Sequence, residues 1–170
     1  METTASKFYT LDYKEAKTYL VVSLFVLGNI LLPQLCHLIP NGGMTLLPIY
    51  FFTLIAAYKY GWQAGLLTAV LSPTINSLLF GMPTSEILPL ILMKSVLLAL
   101  AASFVAKKTQ SVSISLLILV VLSYQVVGTL GEWFIIGDFY KALQDFRIGA
   151  LGMLIQVFGG YFIIKYLIKD

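Results

Sequence analysis

The sequence has few charged residues and almost no cysteine or histidine. Charged side chains make up 11% of the 170 residues, against about 25% in a typical soluble domain. The single cysteine, Cys36, excludes an internal disulfide and any metal site built from several cysteines. The net charge of +3 is not gathered into a basic stripe, so we expect no nucleic-acid partner. With 59% hydrophobic residues and a mean hydropathy of +0.90, the composition indicates an integral membrane protein.

Recognisable catalytic motifs are missing as well. The sequence contains no GxSxG, HExxH, Walker A or dinucleotide-binding pattern, and no ATPase domain. The one histidine, His37, follows the one cysteine, Cys36, but no carboxylate lies between Glu15 and Glu86 that would help to complete a metal site. We therefore expect no enzyme, no cofactor and no metal. The polar stretch 1–17 lacks a small-residue cleavage site, so we expect the first apolar segment to be retained.

Six apolar segments can be marked, roughly 18–35, 45–58, 62–80, 86–106, 112–136 and 148–168. The second is the shortest. Backbone polar groups in lipid must be satisfied within their own segment, which favours helices, and we find no alternating strands of about 10 residues that would indicate a barrel. The sequence predicts an all-α integral membrane protein, a single domain over 1–170 with six transmembrane helices.

The basic residues orient this topology. With a cytoplasmic N-terminus, eight lysines fall on the inner side: Lys7, Lys14, Lys17, Lys59, Lys107, Lys108, Lys165 and Lys169. Only Lys141 and Arg147 fall outside, and Lys94 lies within a segment. Because cytoplasmic loops are enriched in Lys and Arg, we expect both termini to be cytoplasmic.

Lys94 is the one charge in the middle of the apolar stretch 87–106, where an ionisable side chain costs at least about 2.5 kcal/mol and suggests a functional site. A helical rise of about 1.5 Å per residue places it ~12 Å below the outer end of its helix. Other amide or charged side chains also lie in the outer half or near the midplane: Asn29, Asn76, Gln125, Glu132 and Gln156. The six prolines share this outward bias. The pattern predicts a pocket loaded from outside.

The segment 112–136 carries the densest polar pattern. Gln125, Gly128 and Glu132 follow i, i+3, i+7 spacing and share one face, with Tyr124 and Trp133 beside it. This face could contact a ligand, or it could be a glycine packing seam with polar residues joining helices. Trp133 alone is also typical of an interfacial aromatic belt.

The charged pair leaves two interpretations open. Lys94 and Glu132 could pair with each other, or Lys94 could hold an anionic ligand group while Glu132 accepts from a donor. Lys94 favours a carboxylate ligand, and Glu132 favours a cationic or hydroxyl-bearing one.

The outer connection 36–44 contains Asn-Gly-Gly, which is strong turn chemistry. It could be a lid over a ligand, with His37 at the outer mouth, or an ordinary exposed turn.

Two stretches resemble a known family. Leu46-Leu-Pro-Ile-Tyr-Phe-Phe-Thr-Leu-Ile-Ala-Ala-Tyr-Lys-Tyr-Gly-Trp-Gln-Ala-Gly65 and Ser72-Pro-Thr-Ile-Asn-Ser-Leu-Leu-Phe-Gly-Met-Pro83 are similar to the substrate-binding S component of energy-coupling factor (ECF) vitamin transporters. The size and the six predicted helices agree over essentially the whole chain. Many members carry Ala-x-x-x-Ala in helix 1, whereas here the only small residues between Val21 and Gly28 are Ser23 and Gly28.

The resemblance implies a small vitamin bound near the outer face of a prokaryotic cytoplasmic membrane, under the loop between helices 1 and 2. It implies contacts from helices 4, 5 and 6, which correspond to Lys94, Gln125, Glu132 and Gln156. A separate transmembrane T subunit and two ATPases would be partners. We expect Asn76, Asn29, Tyr124, Trp133 and His37 to contribute to the site. The alternatives are a membrane scaffold without ligand, or a small enzyme acting on a lipid-linked substrate with Lys94 and Glu132 as an acid/base pair.

Overall fold

The computed structural model describes residues 10–168 and the backbone of residues 4 and 5. In that part of the chain the α-helices are α1 (Ala16–Cys36), α2 (Gly42–Leu46), α3 (Phe51–Tyr60), α4 (Trp62–Phe80), α5 (Leu88–Thr109), α6 (Ile114–Ile136), α7 (Phe139–Ala142), α8 (Gln144–Arg147) and α9 (Ala150–Phe162). A 3-10 turn, Pro48–Tyr50, precedes α3, and a π-helical stretch, Ile163–Leu167, continues α9. Two short strands, β1 (Thr4–Ala5) and β2 (Ser111–Val112), pair antiparallel.

Five of these helical segments are long and apolar enough to cross a membrane: α1, α4, α5, α6, and α9 together with its π-helical continuation. They are apolar around most of their circumference, as expected for helices that face lipid on one side and protein on the other. Leu20 is 71% exposed and Phe134 is 92% exposed, which is tolerable in lipid and unfavourable in water. The predicted class, an all-α multi-pass membrane protein, is confirmed.

Local signals in the sequence explain where α5 and α6 begin and end. Pro89 lies in the first turn of α5, where its missing N–H costs no helical hydrogen bond. The Ser113 hydroxyl caps α6 by accepting a hydrogen bond from the Leu116 N–H at 3.2 Å. Left-handed residues end both helices, Gln110 after α5 and Gly137 after α6.

The predicted second segment, 45–58, is divided into three pieces. Leu47 adopts the left-handed conformation (φ 46°, ψ 47°) and separates α2 from the turn that begins at Pro48. The helix that follows, α3, has 10 residues, or about 15 Å, half of the bilayer core of about 30 Å. It contacts α1, α4, α5 and α9, and Leu54 and Ile55 are fully buried. Because protein surrounds α3, its irregular entry is not exposed to lipid.

Polar contacts gather three connections at one end of the bundle. The Leu11 N–H donates to the Tyr60 carbonyl at 3.2 Å, and the Tyr58 hydroxyl donates to the Ser111 carbonyl at 2.9 Å. The entry to α1, the α3–α4 turn and the α5–α6 turn therefore lie together. Lys14, Lys17, Lys59, Lys107 and Lys108 belong to these segments, and we call this side the basic end. The connections 37–50, 81–87 and 137–149 lie at the other end.

Candidate functional site

Lys94 lies between two carboxylates. Its Nζ is 2.5 Å from Glu132 Oε2 on α6 and donates a hydrogen bond of 2.7 Å to Asp145 Oδ2 on α8. The Lys94 side chain is 4% exposed, and those of Glu132 and Asp145 are 15% and 21% exposed. Three separate helices thus bring charged side chains together where they are largely shielded from solvent. The Lys94–Glu132 pairing, one of the two interpretations of the sequence, is present in this structure.

Gly128 provides the space for the lysine side chain. A Cβ at this position would lie 2.8 Å from Lys94 Cγ and 3.4 Å from Cε. The lysine side chain therefore crosses α6 at a residue that has no side chain of its own. Gln125 and Glu132 flank this point at i−3 and i+4 on the same helix face. Gly128 therefore makes room for the Lys94 side chain between Gln125 and Glu132 on the predicted polar face of α6.

Asp145 also belongs to this site, although no pattern in the sequence marks it. It lies in α8, one of two short helical turns between α6 and α9. Asp138 caps the first of these turns, α7, by accepting from the Tyr140 and Lys141 N–H groups at 3.0 and 3.1 Å. A carboxylate in a non-periodic connection carries no pattern, and only the folding back of this segment brings it to Lys94.

The other charges of the same connection contact neighbours outside the lysine cluster. Lys141 Nζ lies 3.7 Å from Asp138 Oδ2, and both side chains are exposed. The Arg147 guanidinium lies 3.9 Å above the Tyr140 ring. Neither cation contacts Glu132 or Asp145 in the described part of the chain.

Two tyrosines and a glutamine form a buried wall next to the charges. The Tyr124 hydroxyl donates to Gln156 Oε1 at 3.0 Å, joining α6 to α9. The Tyr50 ring packs on Tyr124 with centroids 5.6 Å apart. Tyr50 also lies within the range of electrostatic interaction with Asp145 and Glu132. Tyr50, which precedes α3, is a second residue that the sequence analysis did not assign to the site.

Several buried polar atoms around the cluster have no hydrogen-bond partner among the described residues. They are both amide atoms of Gln125, Nε2 of Gln156, Oγ1 of Thr129 and Oγ of Ser95. Gln125, Gln156 and Ser95 are 0% exposed. Buried polar groups in proteins are almost always hydrogen-bonded, and leaving one unpaired costs about 1–3 kcal/mol. Unpaired buried atoms also occur on Gln34, Gln63 and Asn76. The five atoms named first belong to α5, α6 and α9, which also carry Lys94 and Glu132, and such a group is an expected feature of a site that binds a polar ligand.

The connection 37–50 packs on this end of the molecule. A Cβ at Gly152 of α9 would lie 2.5 Å from the Leu46 carbonyl carbon and oxygen, so the backbone of the connection lies directly on α9. Gln144 Nε2 contacts Met44 Sδ at 2.9 Å. His37 is exposed and its ring lies against Gly43. Met44, at the end of the predicted lid segment 36–44, thus contacts α8, and Leu46 just after that segment packs on α9, while His37 contacts its own loop.

Asn29 and Asn76 form a separate network. Asn29 Nδ2 lies 3.1 Å from both Thr53 Oγ1 and Ser72 Oγ, and Asn29 Oδ1 accepts from the Phe52 N–H. Asn76 Nδ2 donates to the Asn29 carbonyl at 2.9 Å. These bonds tie α1, α3 and α4 together, whereas the lysine cluster lies on α5, α6, α8 and α9.

Trp133 lies at the margin of the site. Its side chain is 45% exposed and meets the Phe139 ring edge to face at 5.2 Å. Of the nine residues predicted for the site, the structure therefore brings together Lys94, Glu132, Gln125, Tyr124 and Gln156. It places Asn29, Asn76, His37 and Trp133 in other surroundings.

A cavity lies at the basic end, away from the lysine cluster. Its volume is about 260 Å³, and its described lining includes Ala57, Trp62, Phe104 and Lys107. Lys107 is about 20 Å from Lys94 along α5, so the two places are distinct. Across residues 10–168, no group of three or more His, Cys, Asp or Glu side chains is placed to hold a metal ion.

Comparison with models of protein families, with curated proteins and with solved structures finds no match for this chain. The class of the protein therefore follows from its own geometry: an all-α membrane protein with a buried polar site that joins α5, α6, α8 and α9.

Proposed function

We propose that this protein is a membrane substrate-binding subunit that captures a small water-soluble vitamin or related micronutrient, as an S component of an ECF-type importer. The observation that carries the proposal is the set of unpaired buried polar atoms on Gln125, Gln156, Ser95 and Thr129 beside the Lys94 ion pairs. A pocket for a small ligand combines apolar and aromatic walls with a few convergent polar groups. Tyr50 and Tyr124 supply such a wall.

The proposed topology has six membrane segments with both termini cytoplasmic. The second segment would be Pro48–Tyr50 together with α3, sheltered by the five longer helices. The basic end would face the cytoplasm, in accordance with the positive-inside rule. Lys7 and Lys169, which also support this orientation, lie outside the described residues. Asp145 and the connection 37–50 would then face outward, so that ligand enters from outside.

The proposed partners are a transmembrane T subunit and two ATPase subunits in the cytoplasmic membrane of a prokaryote. The face that α1 offers to such a partner carries mostly leucines, with the exposed Ser23 as its small residue. Leu20, Leu24 and Leu27 are exposed, whereas Gly28 points inward, where a Cβ would lie 2.8 Å from the Phe52 ring. A T subunit that docks on α1 would meet a leucine ridge.

The first experiment is a search for ligand in the purified protein. We expect native mass spectrometry of the chain in mild detergent to detect a retained small molecule, and at least one vitamin in a panel to raise the melting temperature. Absence of both results would overturn the proposal and favour a scaffold without ligand.

Site assignment is tested with two matched glutamine variants. Gln125→Met removes both unpaired amide atoms and keeps the side-chain length. Gln63→Met makes the same change near the start of α4, at the basic end. We expect Gln125→Met to weaken ligand binding at least tenfold, or by about 1.4 kcal/mol, while Gln63→Met leaves the dissociation constant unchanged. Equal affinities for the two variants would place the site elsewhere.

A further inference from the structure

We infer that the ligand of the Lys94 site carries a positive charge next to a hydrogen-bonding edge, as an amine-bearing or cationic nitrogen heterocycle does. The inference rests on the proposed function and narrows it to a chemical class. It comes from the charges that surround Lys94 and from the hydrogen-bonding capacity that the surrounding side chains leave unused.

The charges at the site favour a cation. One ammonium faces two carboxylates, so the cluster carries one net negative charge when all three groups are ionised. The remaining cations of this segment contact other groups, Lys141 with Asp138 and Arg147 with Tyr140. A ligand with one positive charge would neutralise the cluster. Its attraction to the carboxylates would be strong because the site is partly desolvated.

A carboxylate ligand fits these contacts poorly. It would have to share an ammonium that already lies within 2.7 Å of two acidic side chains. It would also bring a third negative charge to the same point, and like charges in close contact oppose binding by several kcal/mol. The lone lysine that suggests an anion site in the sequence is therefore neutralised by its own neighbours.

The carboxylates retain capacity to accept from a ligand. Lys94 Nζ contacts Oε2 of Glu132 and Oδ2 of Asp145, and an ionised carboxylate has two oxygens with about four acceptor positions. A charged donor on the ligand would find an acceptor there, and charge-assisted hydrogen bonds are about twice as strong as neutral ones.

The amides define the remainder of the ligand. Gln125 has both an unpaired donor and an unpaired acceptor, and Gln156 has an unpaired Nε2 because Tyr124 occupies its oxygen. A glutamine amide pairs in bidentate fashion with a ring nitrogen next to an exocyclic amine, as it does with adenine. The rings of Tyr50 and Tyr124 stand nearby, and tyrosine faces attract cations.

The test uses two vitamin-related compounds that share a ring and differ in charge. Pyridoxamine carries an amine where 4-pyridoxate carries a carboxylate. Thiamine, a permanent cation with an aminopyrimidine ring, and pantothenate, an anion, form a second comparison. We expect at least one of the two cations to bind the purified protein at least tenfold more tightly than its anionic counterpart in equilibrium dialysis or calorimetry.

Two isosteric variants link the selectivity to the cluster. Asp145→Asn removes one negative charge at the site, and Asp138→Asn removes one from the exposed cap of α7, which asparagine can still cap. We expect Asp145→Asn to weaken binding of the preferred cation at least tenfold, and Asp138→Asn to change it less than twofold.

The outcomes separate the two proposals. Preference for pantothenate or 4-pyridoxate would overturn the charge assignment and leave a vitamin-binding subunit standing. Unchanged cation affinity in Asp145→Asn would also overturn it. Failure of all four compounds to bind would overturn the assignment to this class, and only failure of the wider vitamin panel and of native mass spectrometry would overturn the proposed function itself.

Discussion

Replacing Lys94 with methionine removes the cation of the site and keeps a side chain of similar length over Gly128. Glu132 and Asp145 are then left as two partly buried carboxylates without a partner. Removal of one member of a buried ion pair costs about 3–5 kcal/mol. Since these carboxylates are 15% and 21% exposed and reach some solvent, we expect the lower value, about 3 kcal/mol.

The loss can be followed by thermal unfolding in detergent, with the two tryptophans as fluorescent reporters. For a chain of this size about 2–4 °C is lost per kcal/mol, which predicts a melting temperature lowered by about 6–12 °C. Lys141→Met is the matched control, because its exposed pair with Asp138 contributes about 0–1 kcal/mol.

A charge-neutral combination separates lost charge balance from lost packing. The triple variant Lys94→Met, Glu132→Gln and Asp145→Asn has no unpaired charge, so we expect it to recover most of the stability lost by Lys94→Met alone. A single Lys94→Met variant as stable as Lys141→Met would refute the reasoning, as it would show that the buried contacts contribute no more than an exposed pair.

Two further comparisons use the same unfolding assay. Asn29→Leu should destabilise the protein by about 2–4 kcal/mol, since it leaves the partly buried Phe52 N–H and the buried hydroxyls of Thr53 and Ser72 without their partner. Gln125→Met should be neutral or stabilising because the Gln125 amide is already unpaired, and the reverse order would contradict the division into structural network and ligand site. Gly152→Ala should cost about 1–3 kcal/mol of stability because the new Cβ would lie 2.5 Å from the Leu46 backbone. Gly160→Ala should cost less, since the nearest atom is a Leu54 methyl at 3.2 Å. Equal losses would show that the backbone of the connection 37–50 shifts easily to admit the Cβ.

Much of the helical architecture was predictable from the sequence, for a physical reason. Lipid forces each long apolar segment to satisfy its own backbone, so composition and length alone identify a spanning helix. The predicted segments 18–35, 62–80, 86–106, 112–136 and 148–168 each match a spanning helix to within a few residues. The segment 45–58 did not follow this rule, since protein rather than lipid surrounds α3.

The polar residues show the same division. Helical spacing was enough to place Gln125, Gly128 and Glu132 on one face. The depth of Lys94 in the membrane, estimated from the helical rise, was enough to predict that it lies at a similar level. Spacing could not separate Asn29 and Asn76 from that group, because depth along a helix says nothing about which neighbour the side chain meets. Their separate network became visible only from the packing of α1, α3 and α4.

The sequence by itself determined that this is a helical membrane protein with a lone lysine in an apolar helix. Each of those facts depends on local composition and on the cost of polar groups in lipid. Only the tertiary structure decided what the lysine meets. Asp145 lies in the short helix α8 and Tyr50 in the 3-10 turn before α3, and long-range folding brings them to α5 and α6. That packing places the lone lysine of the sequence between two carboxylates.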